Sequence, residues 1–152
     1  MKIIITTGLL LVGIIGFGQT KNPSYDSTLA KSLGADEYGM KKYIFVILKT
    51  GSVNLSDKVK RDSLFAGHLK NITRLAEEGK LVVAGPFIEK NDKTYRGIFI
   101  LNVPTIEEAN ALLETDPTIK EQVLAAELYP WYGSAALSTY LSTHDKLGKF
   151  KL

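Results

Sequence analysis

The residue best suited to moving a proton is His68, inside the stretch GHLKNITRLAEEGKLVVAGPF from Gly67 to Phe87. At 100° per residue it shares a helical face with Leu64, Ile72 and Leu75, so its imidazole is directed toward the interior. A neutral imidazole near pH 7 is a competent general base. The same placement suits a core histidine bonded to the backbone. Its candidate partner is Asp116. Asp followed by Pro117 is the expected pair at a helix N-cap and first turn, where the carboxylate accepts from orphan N–H groups and the proline fixes φ. A carboxylate that also bonds one imidazole nitrogen fixes the tautomer and leaves the other nitrogen free to take a proton. Gly85 and Pro86 close a strand, where the backbone can approach a ligand beside His68. Trp131 and Tyr132, after Pro130, are candidate pocket walls, and Arg61 is a candidate partner for an anionic group, with core and solvated roles the alternatives. His144-Asp145 stands in a polar tail with no second ligand nearby, which argues against a metal site. There is no GxSxG, no phosphate-binding P-loop and no glycine-rich dinucleotide turn. No cofactor is therefore expected.

Those side chains need elements to hold them. Lys42 to Lys49, KYIFVILK, is a nearly unbroken aromatic and β-branched run and reads as a strand. A helix follows from about Asp57 to Glu78, capped by Ser56 or Asp57, with Leu64, Phe65, His68, Leu69, Ile72, Leu75 and Ala76 on one face. Gly79 ends it in the left-handed region. Leu81 to Ala84 and Tyr95 to Val103 read as an antiparallel hairpin turning at Asn91-Asp92. Pro104 to Glu114 is a second helix capped by Thr105, Asp116-Pro117 starts one more turn, and a last strand runs near Leu124 to Tyr132. Strand, helix, strand, strand, helix, strand with a central hairpin is the split βαβ pattern, an α+β, ferredoxin-like βαββαβ fold with both helices on one face of an antiparallel sheet. The other face would be bare in a monomer, and strands such as Tyr43 to Leu48 and Ile98 to Leu101 would expose a large apolar patch there. A homodimer through the sheet faces is the expected remedy.

The chain of 152 residues is 45% hydrophobic, enough for one domain with a sizeable core. Its 19 basic residues are scattered among 16 acidic ones, with no basic stripe interleaved with aromatics, so nucleic acid is not an expected partner. The absence of cysteine excludes disulfides, thiolate catalysis and cysteine-based zinc sites. Lys2, the apolar run Ile3 to Ile15 and the small residues Gly16 and Gly18 have the layout of a secretory signal peptide over residues 1–18. The run is short of the ~20 apolar residues a spanning helix needs. An exported, periplasmic protein is expected, touching the membrane only through that transient leader. Residues 19–40 read as an N-terminal arm with a short helix around Ser27 to Leu33, residues 41–132 as the domain, and residues 133–152 as a small, polar and then basic tail.

The strand Tyr43–Leu48, the helix bearing His68-Leu69…Leu75…Gly79-Lys80-Leu81, the strand ending Ala84-Gly85-Pro86 and the pair Asp116-Pro117, in that order, resemble the YCII-related (YciI-like) domain family. The resemblance covers about Met40 to Tyr132. It implies a ferredoxin-like fold of the dimeric α/β-barrel type that pairs through its sheets, and a His–Asp active site falling on His68 and Asp116. It departs from the family in its leader, arm and longer tail, and in the arginine before the histidine, here Arg61, seven residues back. The function expected is that of a small exported enzyme of lyase or isomerase type. The His–Asp pair would act as general base on a small cyclic or phenolic molecule. The alternative is a non-catalytic dimeric binding module of the cell envelope.

Overall fold

The computed structural model describes residues 21–144 and 146–149. The expected signal peptide, residues 1–18, lies outside them. The order is α1 (Ser27–Leu33), β1 (Met40–Thr50), α2 (Lys58–Glu77), β2 (Leu81–Pro86), β3 (Tyr95–Leu101), α3 (Ile106–Leu113), α4 (Pro117–Lys120) and β4 (Leu124–Ser134), followed by a 3₁₀ helix (Ala135–Tyr140) and α5 (Leu141–His144). The four strands form one antiparallel sheet in the order β2-β3-β1-β4. From β1 to β4 this is the βαββαβ, ferredoxin-like topology.

Local chemistry accounts for the boundaries. The Asp57 carboxylate accepts from the N–H groups of Val59 and Lys60 at 2.9 and 3.1 Å and opens α2. Gly79, at φ +66°, ends that helix turn in the left-handed region as its sequence position predicts. Thr105 accepts from the Glu108 N–H at 3.2 Å and starts α3. Strand β2 ends at Gly85 and Pro86 as expected, and both are part of its ladder, paired with Ile98 and Gly97. Pro86 is tolerated because β2 is an edge strand.

Alternation along the strands divides the sheet into two faces. Ile44, Val46 and Leu48 of β1, Phe99 and Leu101 of β3, Leu81 of β2 and Leu124 of β4 meet Leu75 of α2 and Ala109 and Leu113 of α3 in the main core. Both long helices lie on this face, as expected. Two positions on α2 differ from the periodic reading. Leu69 is exposed and Asn71 is buried. The Asn71 amide oxygen accepts from Thr115 Oγ1 at 3.0 Å and from the Arg74 guanidinium at 2.7 Å, which satisfies it against the α3–α4 junction.

The opposite face is not bare. Tyr43, Val82 and Ile100 form a second buried cluster, and Leu137 of the tail packs against it. Tyr140 donates its hydroxyl hydrogen to the carbonyl of Val82, Tyr43 donates to the Ser134 carbonyl at 2.9 Å, and Ala135 is buried. The tail therefore covers one part of the sheet. Phe45, Ile47, Val83 and Ile98 remain half-buried, with Tyr129 and Trp131 exposed beside them.

Candidate active site

Among the described residues the buried polar side chains are His68, Asn71, Asp116 and Thr118. All four sit where α2 meets the α3–α4 junction and α4, so the polar part of the interior is gathered into one band. Two features of sequence bring α2 and α4 close enough to form it. Gly67 presents no side chain to α4; a Cβ there would lie 2.7 Å from Pro117 Cγ. Thr115, at the turn into α4, is tied to α2 through Asn71 and through Arg74 at 2.9 Å.

His68 Nδ1 and Asp116 Oδ2 lie 2.6 Å apart. Asp116 is fully buried, yet its carboxylate is completely engaged. Oδ1 accepts from the backbone N–H of Thr118 at 2.9 Å and from the Thr118 hydroxyl at 2.6 Å, and Oδ2 faces the imidazole. The N-cap role and the histidine-partner role, alternatives on sequence grounds, are thus served by one residue using its two oxygens separately. Burial pushes the Asp116 carboxyl upward, but the hydrogen bonds from His68 and Thr118 and the charge of His68 outweigh it and hold the group below the ordinary carboxylate range. An ionised Asp116 can only accept, so the proton between it and His68 belongs to Nδ1.

That assignment leaves Nε2 as the basic nitrogen. Nε2 has no hydrogen-bond partner among the described residues, and none of their buried side-chain nitrogens or oxygens lacks one, so Nε2 retains contact with solvent. The ring itself is held on both sides. It stacks on Phe99 with centroids 5.9 Å apart and an interplanar angle of 24°, and Phe65 meets it edge-on at 6.1 Å. The result is a ring of fixed orientation, one nitrogen locked to a carboxylate and the other without a protein partner.

The remaining sequence candidates fall in different places. Phe99 pairs with Ala84, and Gly97 with Pro86, so Ala84 and Pro86 lie on the helix side of the sheet, at its exposed edge. Gly85, between them, has the opposite parity. Trp131 and Tyr132 cannot wall one pocket, because adjacent strand residues point to opposite faces. Trp131 lies on the far face against Tyr43, with ring centroids 5.8 Å apart. Tyr132 lies on the helix side but pairs with Lys42 near the Met40 end of β1, and donates its hydroxyl to Asp36. Arg61 donates to the carbonyl of Leu55 at 3.3 Å. Two surface depressions occur elsewhere, one along Leu69, Thr73 and Glu77 on the outer side of α2 and one at the β2–β3 turn around Phe87 and Tyr95. Neither includes His68. Among the described residues no three or more histidine, aspartate or glutamate side chains gather as a metal site would require.

Thr118 and Phe99 were not singled out from sequence. Threonine directly after an Asp-Pro pair looks like ordinary helix filler, and Phe99 looks like any inward strand residue. Only the spacing to Asp116, matching an N-cap carboxylate with its N2 residue, carried a signal for Thr118.

Residues 42–132 match the YCII-related domain family, which is more than half of the chain. The chain belongs to that family. The YCII-related domain extends from the start of β1 almost to the end of β4, and it contains both His68 and Asp116. No curated protein matches the chain in sequence. Among solved structures, 5-chloro-2-hydroxyhydroquinone dehydrochlorinase from Burkholderia phenoliruptrix AC1100, in complex with 2,5-dihydroxybenzoquinone, is similar to it. The identity is 20% and the TM-score 0.43, with 58% of this chain and 92% of that one covered.

Proposed function

We propose that this YCII-related protein is a small cofactor-independent enzyme that removes a proton from a weakly acidic position of a small cyclic or phenolic molecule. What carries the reading is the division of labour on one imidazole: Nδ1 bonded to the buried carboxylate of Asp116 at 2.6 Å, and Nε2 without a protein partner and in contact with solvent. A histidine kept only for packing would gain nothing from leaving one ring nitrogen without a protein partner. In the proposed step Nε2 takes the proton, and Asp116 stabilises the imidazolium that forms without itself being protonated. Loss of a leaving group from the adjacent position, or return of the proton elsewhere, completes a lyase or isomerase reaction.

The test is solvent-exchange and turnover measurement over a panel of phenols, hydroxyquinols and lactones. Activity is expected to rise with deprotonation of one group, and His68→Ala should lower it by about 10²–10⁴-fold. Turnover unchanged in His68→Ala overturns the assignment of His68 as the base, and no turnover by wild type anywhere in the panel favours the alternative, a non-catalytic binding module of the envelope. Two further parts belong to the proposal. Residues 1–18 serve as a secretory leader to the periplasm, which mass determination of the mature N-terminus in a periplasmic fraction would test. Two copies pair through the open part of the sheet face, where Trp131 and Tyr129 are exposed.

A further inference from the structure

The Asp116 carboxylate would serve His68 equally well with either oxygen, and the fold chooses between them. Oδ1 is occupied twice by one residue: the Thr118 N–H reaches it at 2.9 Å and the Thr118 hydroxyl at 2.6 Å. Both groups are buried, and Thr118, like Asp116, has no exposed surface. The hydroxyl carries a single proton, and with that proton spent on Oδ1 its oxygen can only accept from other neighbours. That oxygen lies 3.5 Å from His68 Nδ1, at the outer limit of a hydrogen bond. Every protein contact around Nδ1, the Oδ2 lone pair and the hydroxyl oxygen, is thus an acceptor.

We propose that Thr118 is a positioning residue for the His68–Asp116 pair: its hydroxyl ties down Oδ1, aims Oδ2 at the imidazole and closes off the tautomer that would carry its proton on Nε2. The inference builds on the reading of His68 as a base, but its content is a protonation state, and it can be tested without a substrate. A valine at this position would keep the shape and the backbone bond and would free Oδ1 of one donor. The carboxylate could then rotate and share its charge differently, and Asp116 would lose one of the bonds that favour its ionised form. The charged groups to consider around Asp116 are few. His68 faces it from α2, and Arg74 is bonded to the neighbouring Thr115. The Lys60–Glu121 pair, at 3.3 Å, bridges α2 to the far end of α4. The sheet side presents Phe99 to the histidine, flanked by Val46 and Ala84, and no charge.

The experiment is NMR on the full chain, with the imidazole nitrogens of His68 and the carboxyl carbon of Asp116 followed against pH in wild type, Thr118→Val and Thr118→Ser. His144, the other histidine, is an internal control. Wild type and Thr118→Ser are expected to show the neutral ring wholly protonated on Nδ1. In Thr118→Val the Asp116 midpoint should rise by about one pH unit, and the tautomers should mix. Identical Asp116 midpoints and His68 tautomers in Thr118→Val and wild type overturn the proposal. If Thr118→Val does not fold, wild type alone decides: a slowly exchanging Thr118 hydroxyl proton supports the bond to Oδ1, and a hydroxyl in fast exchange with water overturns it. Inactive His68 with intact Nδ1 protonation would refute the catalytic reading and leave this one standing.

Discussion

Asp116 combines three acceptor contacts with complete burial, and its energetics have a definite sign. Its carboxyl is held below the ordinary aspartate value of 3.8, so folding is favoured by the ionised form. That contribution is fully present above the unfolded value and is lost as pH falls through the lower folded one. Wild type should therefore lose thermal stability below about pH 4, and Asp116→Asn should show a flatter acid limb over the same window. A melting-temperature series from pH 2 to pH 7 on both proteins checks this, and equal acid limbs would show that the group is not held down. In turnover assays Asp116→Asn should fall by about 10²–10⁴-fold if the carboxylate orients the ring and steadies the imidazolium. At this scale His68 was legible, because its helical spacing set its face without any knowledge of the partner. Asp116 was legible as a cap and as a candidate partner for His68. The direction of its second oxygen depends on how α4 crosses α2, which no local pattern encodes, so most of the weight for the pairing came from the family resemblance. Thr118 was illegible for the same reason.

The crossing of α2 and α4 turns on one glycine. In an exposed helix interior, Gly→Ala normally stabilises by about 0.5–1 kcal/mol, through lower chain entropy. At Gly67 the added Cβ would stand 2.7 Å from Pro117 Cγ, well inside contact distance, and a proline ring cannot rotate away. Overpacking of this kind costs about 1–3 kcal/mol, so the steric term should win. Gly67→Ala is expected to be net destabilising by about 1–2 kcal/mol in denaturant unfolding, with a weakened His68–Asp116 contact seen as loss of the shared proton signal. Stabilisation instead would mean that α4 yields easily and that the pair does not depend on this approach. The elements themselves were the most readable level. Asp57, Gly79 and Thr105 mark real helix ends through chemistry confined to a few neighbouring residues. Asn71 and Leu69 depart from the helical period because helix rotation relative to α3 and α4 decides which flank of the apolar stripe is covered, and Asn71 is buried with Thr115 and Arg74 satisfying it.

Two coverings compete for the back of the sheet. One is the chain's own tail, anchored by Ala135, Leu137 and Tyr140 over Tyr43, Val82 and Ile100. Leu137 and Tyr140 stand a single 3₁₀ turn apart, too short a run to show a period, and the segment is otherwise small and polar, so its packing could not be read from composition. The other is the proposed second copy, which would take the part the tail leaves: Phe45, Ile47, Val83 and Ile98, rimmed by Tyr129 and Trp131. Fully burying a side chain of this size is worth about 1.5–3 kcal/mol, so a partner has more to gain there than over the part already covered. The two coverings predict different behaviour. Trp131→Glu should convert a dimer to a monomer in light scattering, because a carboxylate would be desolvated at the interface. It should leave the His68–Asp116 pair intact, since Trp131 lies on the other face. Removing residues from Ala135 onward should instead lower unfolding stability by about 2–5 kcal/mol, by uncovering Tyr43, Val82 and Ile100. A full-length chain that stays monomeric at high concentration would show that the tail has taken over the partner's place. A truncated chain that then dimerises would show how: by freeing the strip over Tyr43, Val82 and Ile100 that Tyr140 and Leu137 now hold.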